Sequence, residues 1–260
     1  MGRKKGKMTM KKTKIQWTTY TWNPWHGCKK VSEGCKNCYM YRDKERYGAD
    51  PTLVLRSKTT FNNPLHQKEP SMIFTCSWSD WFIDAADEWR DEAWAIIKQT
   101  PQHTYQILTK RPERITEHLP ADWGEGYPNV WLGVSCENQK WFDIRVPILL
   151  SVPAKVRFVS AEPLLSEINM GELVKQLDWV IVGGESGNTV GLYRFRVCKL
   201  IWIENIVKQC LNVGTSVFVK QLGNYLANEL NGRKKNAGDN YDTFPESIRV
   251  RLYPKQKTIT

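Results

Sequence analysis

The chain has 260 residues, 41% hydrophobic and 12% aromatic, with a formal net charge of +11. That length and apolar content suit one large domain with a substantial core, the usual size of an α/β barrel. No apolar run approaches the roughly 20 residues of a membrane span, which excludes an integral helical membrane protein and leaves a globular, cytoplasmic one as the expectation.

In chain order the first feature is charge. Arg3, Lys4, Lys5, Lys7, Lys11, Lys12 and Lys14 fall within the first 14 positions with no acid among them, so most of the positive excess is a tail. Residues 1–14 are expected to be disordered, serving solubility or contacting phosphates without regard to sequence. A short strand is expected near Ile15 to Thr19.

Cys28, Cys35 and Cys38 follow, in Trp-His-Gly-Cys-Lys-Lys-Val-Ser-Glu-Gly-Cys-Lys-Asn-Cys-Tyr. Three thiolates can hold three irons of a four-iron cluster and leave the fourth open to a small molecule that receives an electron. With His26 nearby, the same spacing suits a closed tetrahedral zinc site. A thioredoxin-like pair fits poorly with a third cysteine and no early strand-helix-strand context. Disulfides fit least, because seven cysteines are an odd number and no signal peptide precedes them. Spacing alone leaves cluster and zinc both open.

Beyond the cysteines, short apolar runs alternate with helical patterns. The runs are Met72–Cys76, Thr104–Leu108, Val130–Val134, Val156–Val159, Trp179–Val182 and Ser216–Val219, each rich in β-branched or aromatic residues, as buried parallel strands should be. Helical spacing covers Asp87–Gln99, Pro112–His118, Asn138–Leu150, Met170–Gln176 and Val197–Leu211. The alternation predicts about seven β/α units in a parallel sheet or barrel. Trp89, Trp94 and Trp202 fall within helical patterns and read as packing. Cys76, Cys136, Cys198 and Cys210 have no close cysteine neighbour and read as small core residues.

Polar residues recur just past each apolar run: Ser77, Ser79 and Asp80; Thr109, Lys110 and Arg111; Ser135, Glu137 and Asn138; Ser160 and Glu162; Gly183, Gly184, Glu185 and Ser186; Lys220 and Gln221. In a barrel these positions face the substrate mouth. Any one of them, Ser79, Asp80 or Asn138 for instance, reads equally well as a helix cap. Repetition argues for more, because Lys110, Glu137, Glu162, Glu185 and Lys220 all directly follow apolar strands, where an unpartnered charge is costly.

Several motifs together resemble one group: Thr21-Trp-Asn-Pro-Trp-His-Gly-Cys28, Gly34-Cys-Lys-Asn-Cys-Tyr39, Leu108-Thr-Lys-Arg-Pro-Glu-Arg114, Leu132-Gly-Val-Ser135, Ser160-Ala-Glu-Pro-Leu-Leu165, Val182-Gly-Gly-Glu-Ser-Gly187, Phe218-Val-Lys-Gln-Leu-Gly223 and Phe244-Pro-Glu246. The group is the phage- and prophage-associated three-cysteine family related to radical S-adenosylmethionine (radical SAM) enzymes. The resemblance implies an α/β fold, a partial TIM-type barrel of six or seven β/α units with mostly parallel strands, over residues 15–230. Residues 231–260 are expected to form a C-terminal loop and extension packing on it, and the Asn, Gly and Lys content of Asn231 to Asp242 reads as a loop. It implies a 4Fe-4S cluster on Cys28, Cys35 and Cys38, S-adenosylmethionine as cofactor, an external electron donor, and hydrogen abstraction from a substrate.

On that reading Tyr39, Ser77, Ser79, Asp80, Ser135, Glu137, Gly183 and Gly184 meet the cofactor, while Lys110, Glu162, Glu185 and Lys220 are the catalytic candidates. Tyr39, with Trp22 and Trp25, shields the cluster or stacks on adenine. Two features depart from the common pattern. Six residues, not three, separate Cys28 from Cys35, and Gly183-Gly184-Glu185 follows the sixth strand rather than the second, so Ser77, Ser79 and Asp80 are assigned the amino acid part of the cofactor. The surplus positive charge and the implied phage association favour a nucleic acid substrate, a base of DNA or tRNA. The alternatives are a radical enzyme acting on a protein or small molecule, and a zinc-stabilised nucleic-acid-binding protein without catalysis.

Overall fold

The computed structural model describes residues 10–232 and 238–255. Its strands, in chain order, are β1 (Tyr20–Trp22), β2 (Trp25–His26), β3 (Leu55–Arg56), β4 (Met72–Thr75), β5 (Thr104–Thr109), β6 (Val130–Ser135), β7 (Val156–Ala161), β8 (Trp179–Gly183) and β9 (Ser216–Gln221). Seven of them form one parallel sheet in the order β1-β4-β5-β6-β7-β8-β9. Neighbours in space are thus neighbours in sequence, and each connection returns over the same face, which curls the sheet into a partial TIM-type barrel.

β1 and β9 do not pair with each other, so the barrel stays open. Each edge is covered instead. The Thr13 amide donates to the Thr19 carbonyl at 3.1 Å and Lys12 bridges to Tyr20, while Val219 and Leu252 amides donate to Val250 and Val217 carbonyls across the other edge. Covered edges remove a template for strand addition. Of the basic tail, residues 1–9 lie outside the described residues, as do 233–237 of the expected loop from Asn231 to Asp242.

Alternation sends one set of side chains from each strand inward. Phe74, Phe158, Trp179, Ile181 and Phe218 meet there with Trp17, and Trp131 and Leu108 pack against them. Ring centroids of Trp17 lie 4.6 Å from Phe74 and 6.0 Å from Trp179, and Tyr253 stacks on Trp179 at 5.5 Å. Gly133 makes room for this filling, because a Cβ there would lie 2.5 Å from the Phe158 ring. Aromatic rings therefore form a floor, and the space above it opens at the carboxyl ends of the strands.

The opposite faces bury Ile73, Tyr105, Leu132, Val159 and Val180 against helices. Those helices are α1 (Tyr39–Arg46), α2 (Asp87–Gln99), α3 (Gln139–Leu150), α4 (Leu200–Val213) and α5 (Gly223–Asn231). α2 presents Ala93, Trp94, Ile96 and Ile97, and α4 presents Ile203, Ile206, Val207 and Cys210, each set at helical spacing. The expected helices at Pro112–His118 and Met170–Gln176 are 3-10 turns instead, since segments this short do not repay α-helix nucleation. The first strand starts at Tyr20, downstream of the expected Ile15–Thr19, because Trp17 serves as barrel filling rather than as a ladder position. Cys76, Cys136, Cys198 and Cys210 are all buried. No helix among the described residues is long and apolar enough to cross a membrane.

Candidate functional site

The three cysteines sit on a loop whose ends are tied together. β2 and β3 pair antiparallel, Trp25 opposite Arg56 and His26 opposite Leu55, so residues 27–54 form a closed excursion. Its base is fixed to the end of β4: the Gly27 amide donates to the Trp78 carbonyl at 3.0 Å, and Ser79 Oγ donates to the Gly27 carbonyl at 2.6 Å. Gly27 has φ +99°, and a Cβ there would lie 2.1 Å from the Leu53 carbonyl oxygen, so only glycine lets the ends approach this closely. Cys28 follows directly. Cys35 closes the 3-10 turn Glu33–Cys35, and Cys38 is the N-cap residue of α1.

Strand-end side chains grip this loop from three sides. After β5, Arg111 donates to the Lys29 carbonyl at 2.8 Å, comes within 3.9 Å of the Cys28 sulfur, and pairs with Asp80 at 3.2 Å. After β6, Glu137 accepts from Ser32 Oγ at 2.6 Å, while Asn138 Nδ2 and Trp141 Nε1 donate to the Glu33 carboxylate at 2.6 and 2.8 Å. After β8, Glu185 accepts from Asn37 Nδ2 at 3.0 Å and from Arg196 Nε at 2.9 Å, and Arg196 Nη1 reaches the Glu33 carbonyl at 2.8 Å. The loop is thus held over the mouth rather than hanging from it.

Beneath it lies a cavity of about 260 Å³. Cys28, Cys35, Cys38 and Tyr39 line it from the loop, with Ser77, Ser79 and Asp80 beside them. Lys110, Ser135, Glu162, Gly184, Glu185 and Lys220 line it from the strand ends, and Trp17, Phe74 and Leu108 form its floor. Glu137 and Gly183 are outside this lining. Glu137 is completely buried beneath the cysteine loop, and Gly183 stands behind the wall beside Gln221 and Glu162. Ser160 and Gln221 line the cavity as well; Gln221 Nε2 and Lys220 Nζ both donate to Glu162 Oε1, at 2.7 and 2.6 Å.

Several assigned groups are engaged within the protein. The Asp80 carboxylate accepts from Thr109 Oγ1 at 2.6 Å, from the Lys110 amide at 2.9 Å and from the Phe82 amide at 3.0 Å, which makes it a hub joining two strand ends. Tyr39 donates its hydroxyl to the Ser77 carbonyl. Trp22 and Trp25 are buried, with indole N–H groups bonded to the Phe61 and Asp80 carbonyls, and neither reaches the cavity. Asn138 caps α3, accepting from the Trp141 amide at 3.1 Å.

Charge is uneven around the thiols. Lys110, Arg111 and Arg145 share two carboxylates, Asp80 and Glu137, whereas Lys220–Glu162 and Arg196–Glu185 pair one to one. Glu33 adds a further carboxylate on the loop itself, held by Asn138 and Trp141. Burial, with Asp80 nearby, pushes the Cys28 thiol up to about 12 against the pull of Arg111. Ligation of a metal would displace that proton. Burial also works against the Lys110 ammonium, but the nearby Glu137 and Cys35 outweigh it and raise its pKa above the ordinary value.

Ser32, Asn37, Arg145 and Arg196 are partners that sequence reasoning missed. Arg145 had a signal: it falls on the stripe of α3 that buries Phe142, Val146 and Leu149, and an arginine there demands a buried anion. Arg196 had none, since nothing local marks its reach back to Glu185. His26, the fourth ligand of the zinc alternative, stands outside the lining. Among the described residues no three His, Cys, Asp or Glu side chains converge closely enough to hold one metal ion.

The fold and site define a class: an open parallel β/α barrel with a three-thiol loop braced across its carboxyl-terminal mouth. The chain belongs to the family described as "Protein of unknown function (DUF5131)", whose sequence pattern matches residues 12–245. No curated protein matches it. A solved structure of a spore photoproduct lyase double mutant with bound AdoMet and dinucleoside spore photoproduct is similar, with a TM-score of 0.48 and 15% identity over 79% of this chain. The chain spans 64% of that protein's length.

Proposed function

We propose that this chain is a radical S-adenosylmethionine enzyme that carries a 4Fe-4S cluster on Cys28, Cys35 and Cys38 and modifies a nucleic acid base. One observation carries the reading: the three thiols share a cavity with Lys110, Ser135, Ser160, Glu162 and Lys220 at the carboxyl ends of parallel strands. The donor set fits the group. Thiolates are soft ligands suited to iron-sulfur clusters, and each cluster cysteine binds a different iron, so three sulfurs spread around a cavity suit it better than a closed zinc tetrahedron. When bound, the cluster and S-adenosylmethionine supply an electron and a hydrogen-abstracting radical.

The chain's own residues do the remaining work. The braced loop fixes the thiols, and Arg111 comes within 3.9 Å of the Cys28 sulfur. The half-buried Lys220–Glu162 pair offers a donor and an acceptor to polar groups of cofactor or substrate. The floor of Trp17, Phe74 and Leu108 excludes water from below. A base of phage DNA or tRNA suits the net charge of +11, and one within a duplex has to be extruded to reach the cavity.

The test is anaerobic reconstitution with iron and sulfide, followed by S-adenosylmethionine, a reductant, and phage DNA or tRNA. The expected result is brown protein, 5′-deoxyadenosine, and an altered nucleoside by mass spectrometry. Colourless protein holding one tight zinc would overturn the cluster. Formation of 5′-deoxyadenosine with a peptide or metabolite, and no altered nucleoside, would overturn the nucleic acid substrate alone.

A further inference from the structure

Resting on the cluster reading, we propose that Glu137 is a positioning residue, which sets the place of the Cys35 sulfur through Ser32. Glu137 has no exposure at all, and a carboxylate so placed requires partners. Arg145 Nη1 supplies one from the helix side at 2.9 Å, and Lys110 Nζ lies 3.7 Å from the other oxygen. The partner on the loop is Ser32 Oγ at 2.6 Å, which itself lies 3.8 Å from the Cys35 sulfur. A serine hydroxyl has one proton, and here the carboxylate takes it. Ser32 is therefore held by Glu137 and offers no proton to Cys35, leaving that sulfur's lone pairs for a metal.

The same carboxylate fixes the loop sterically. A Cβ on Gly34 would lie 2.2 Å from Glu137 Oε1, so the backbone one residue before Cys35 rests directly on the acid. The neighbouring clasp of Glu33 by Asn138 and Trp141 makes residues 137–141 a three-point seat for residues 32–34. Among the described residues no hydrogen bond joins Glu162 to the loop, so Glu137 and Glu162 have different tasks.

The test compares wild type, Ser32→Ala and Glu137→Gln as metal-free, reduced protein, with alkylation by iodoacetamide followed at each cysteine by mass spectrometry. Cys35 is expected to react several-fold faster in both variants, while Cys28, Cys38 and the buried Cys198 keep their wild-type rates. After reconstitution, iron is expected to be held roughly 10-fold less tightly against a chelator. An unchanged Cys35 rate in Ser32→Ala, with the fold intact by circular dichroism, would overturn the proposal. Should Glu137→Gln fail to fold, Ser32→Ala decides alone. Wild type that takes up no cluster refutes the cluster reading, and the alkylation result still judges the positioning.

Discussion

Gly133 is where a missing side chain decides the packing of the barrel. It pairs with Leu108 on one side and Phe158 on the other, and the space its Cβ would need is filled by three atoms of the Phe158 ring. That ring is fully buried between Trp17 and Trp179, so it has no free direction of retreat. Gly133→Ala is therefore an overpacking change, expected to cost about 1–3 kcal/mol. Calorimetry should show Tm lowered by roughly 2–4 °C per kcal/mol for a chain of this size. An unchanged Tm would mean that Phe158 shifts freely, against the packing described. At this scale the cysteines and the polar residues past the strands were legible, because spacing and position mark them. The tasks of Glu137 and Glu185 were not, because their partners Ser32 and Asn37 lie 105 and 148 residues away in the chain.

At the scale of elements, α2 shows how a helix start is locked to the turn that follows the next strand. Asp87, its first residue, accepts from Arg90 Nη1 at 2.6 Å and from Arg114 Nη2 at 2.9 Å, with His118 Nε2 at 3.4 Å. Burial works against its charge, yet the two guanidinium groups outweigh it and hold its carboxyl below the usual 3.8. The folded state thus binds this proton less readily than the unfolded chain. Its contribution is fully present above about pH 4 and is lost as pH falls through the lowered folded value. Because Asp87 is 45% exposed, that contribution is under about 1 kcal/mol. Asp87→Asn is expected to cost that little at neutral pH and to flatten the acid limb of a urea-midpoint profile; a profile parallel to wild type would refute the assignment. α2 itself was legible to the residue, because thirteen residues of regular apolar spacing leave few alternatives. α1 was not, since Tyr39–Arg46 is mostly polar and its place is set by the cysteine loop. β2 and β3 escaped for a related reason: two-residue strands exist only because their partner stands opposite.

For the whole molecule the open question is where a polyanion would be met. The cations of the mouth are mostly engaged already, Arg111 and Arg196 with the cysteine loop and Lys220 with Glu162, and Lys29 on the rim pairs with Asp84 at 3.3 Å. The sequence concentrates positive charge in the amino-terminal run, of which Arg3, Lys4, Lys5 and Lys7 precede the described residues. If the substrate is a nucleic acid, affinity and chemistry are then divided between tail and cavity. Each phosphate neutralised on a single strand changes the log-log salt slope by about 0.7, so deleting residues 2–9 should flatten it by about 3. Fluorescence anisotropy with labelled single-stranded DNA or tRNA over a range of salt measures this. Cleavage of S-adenosylmethionine in the absence of substrate should be unchanged by the deletion, since the cavity lining is intact. A slope equal to that of the full chain would show that the tail touches no phosphate, and would leave the nucleic acid reading to the cations of the folded domain.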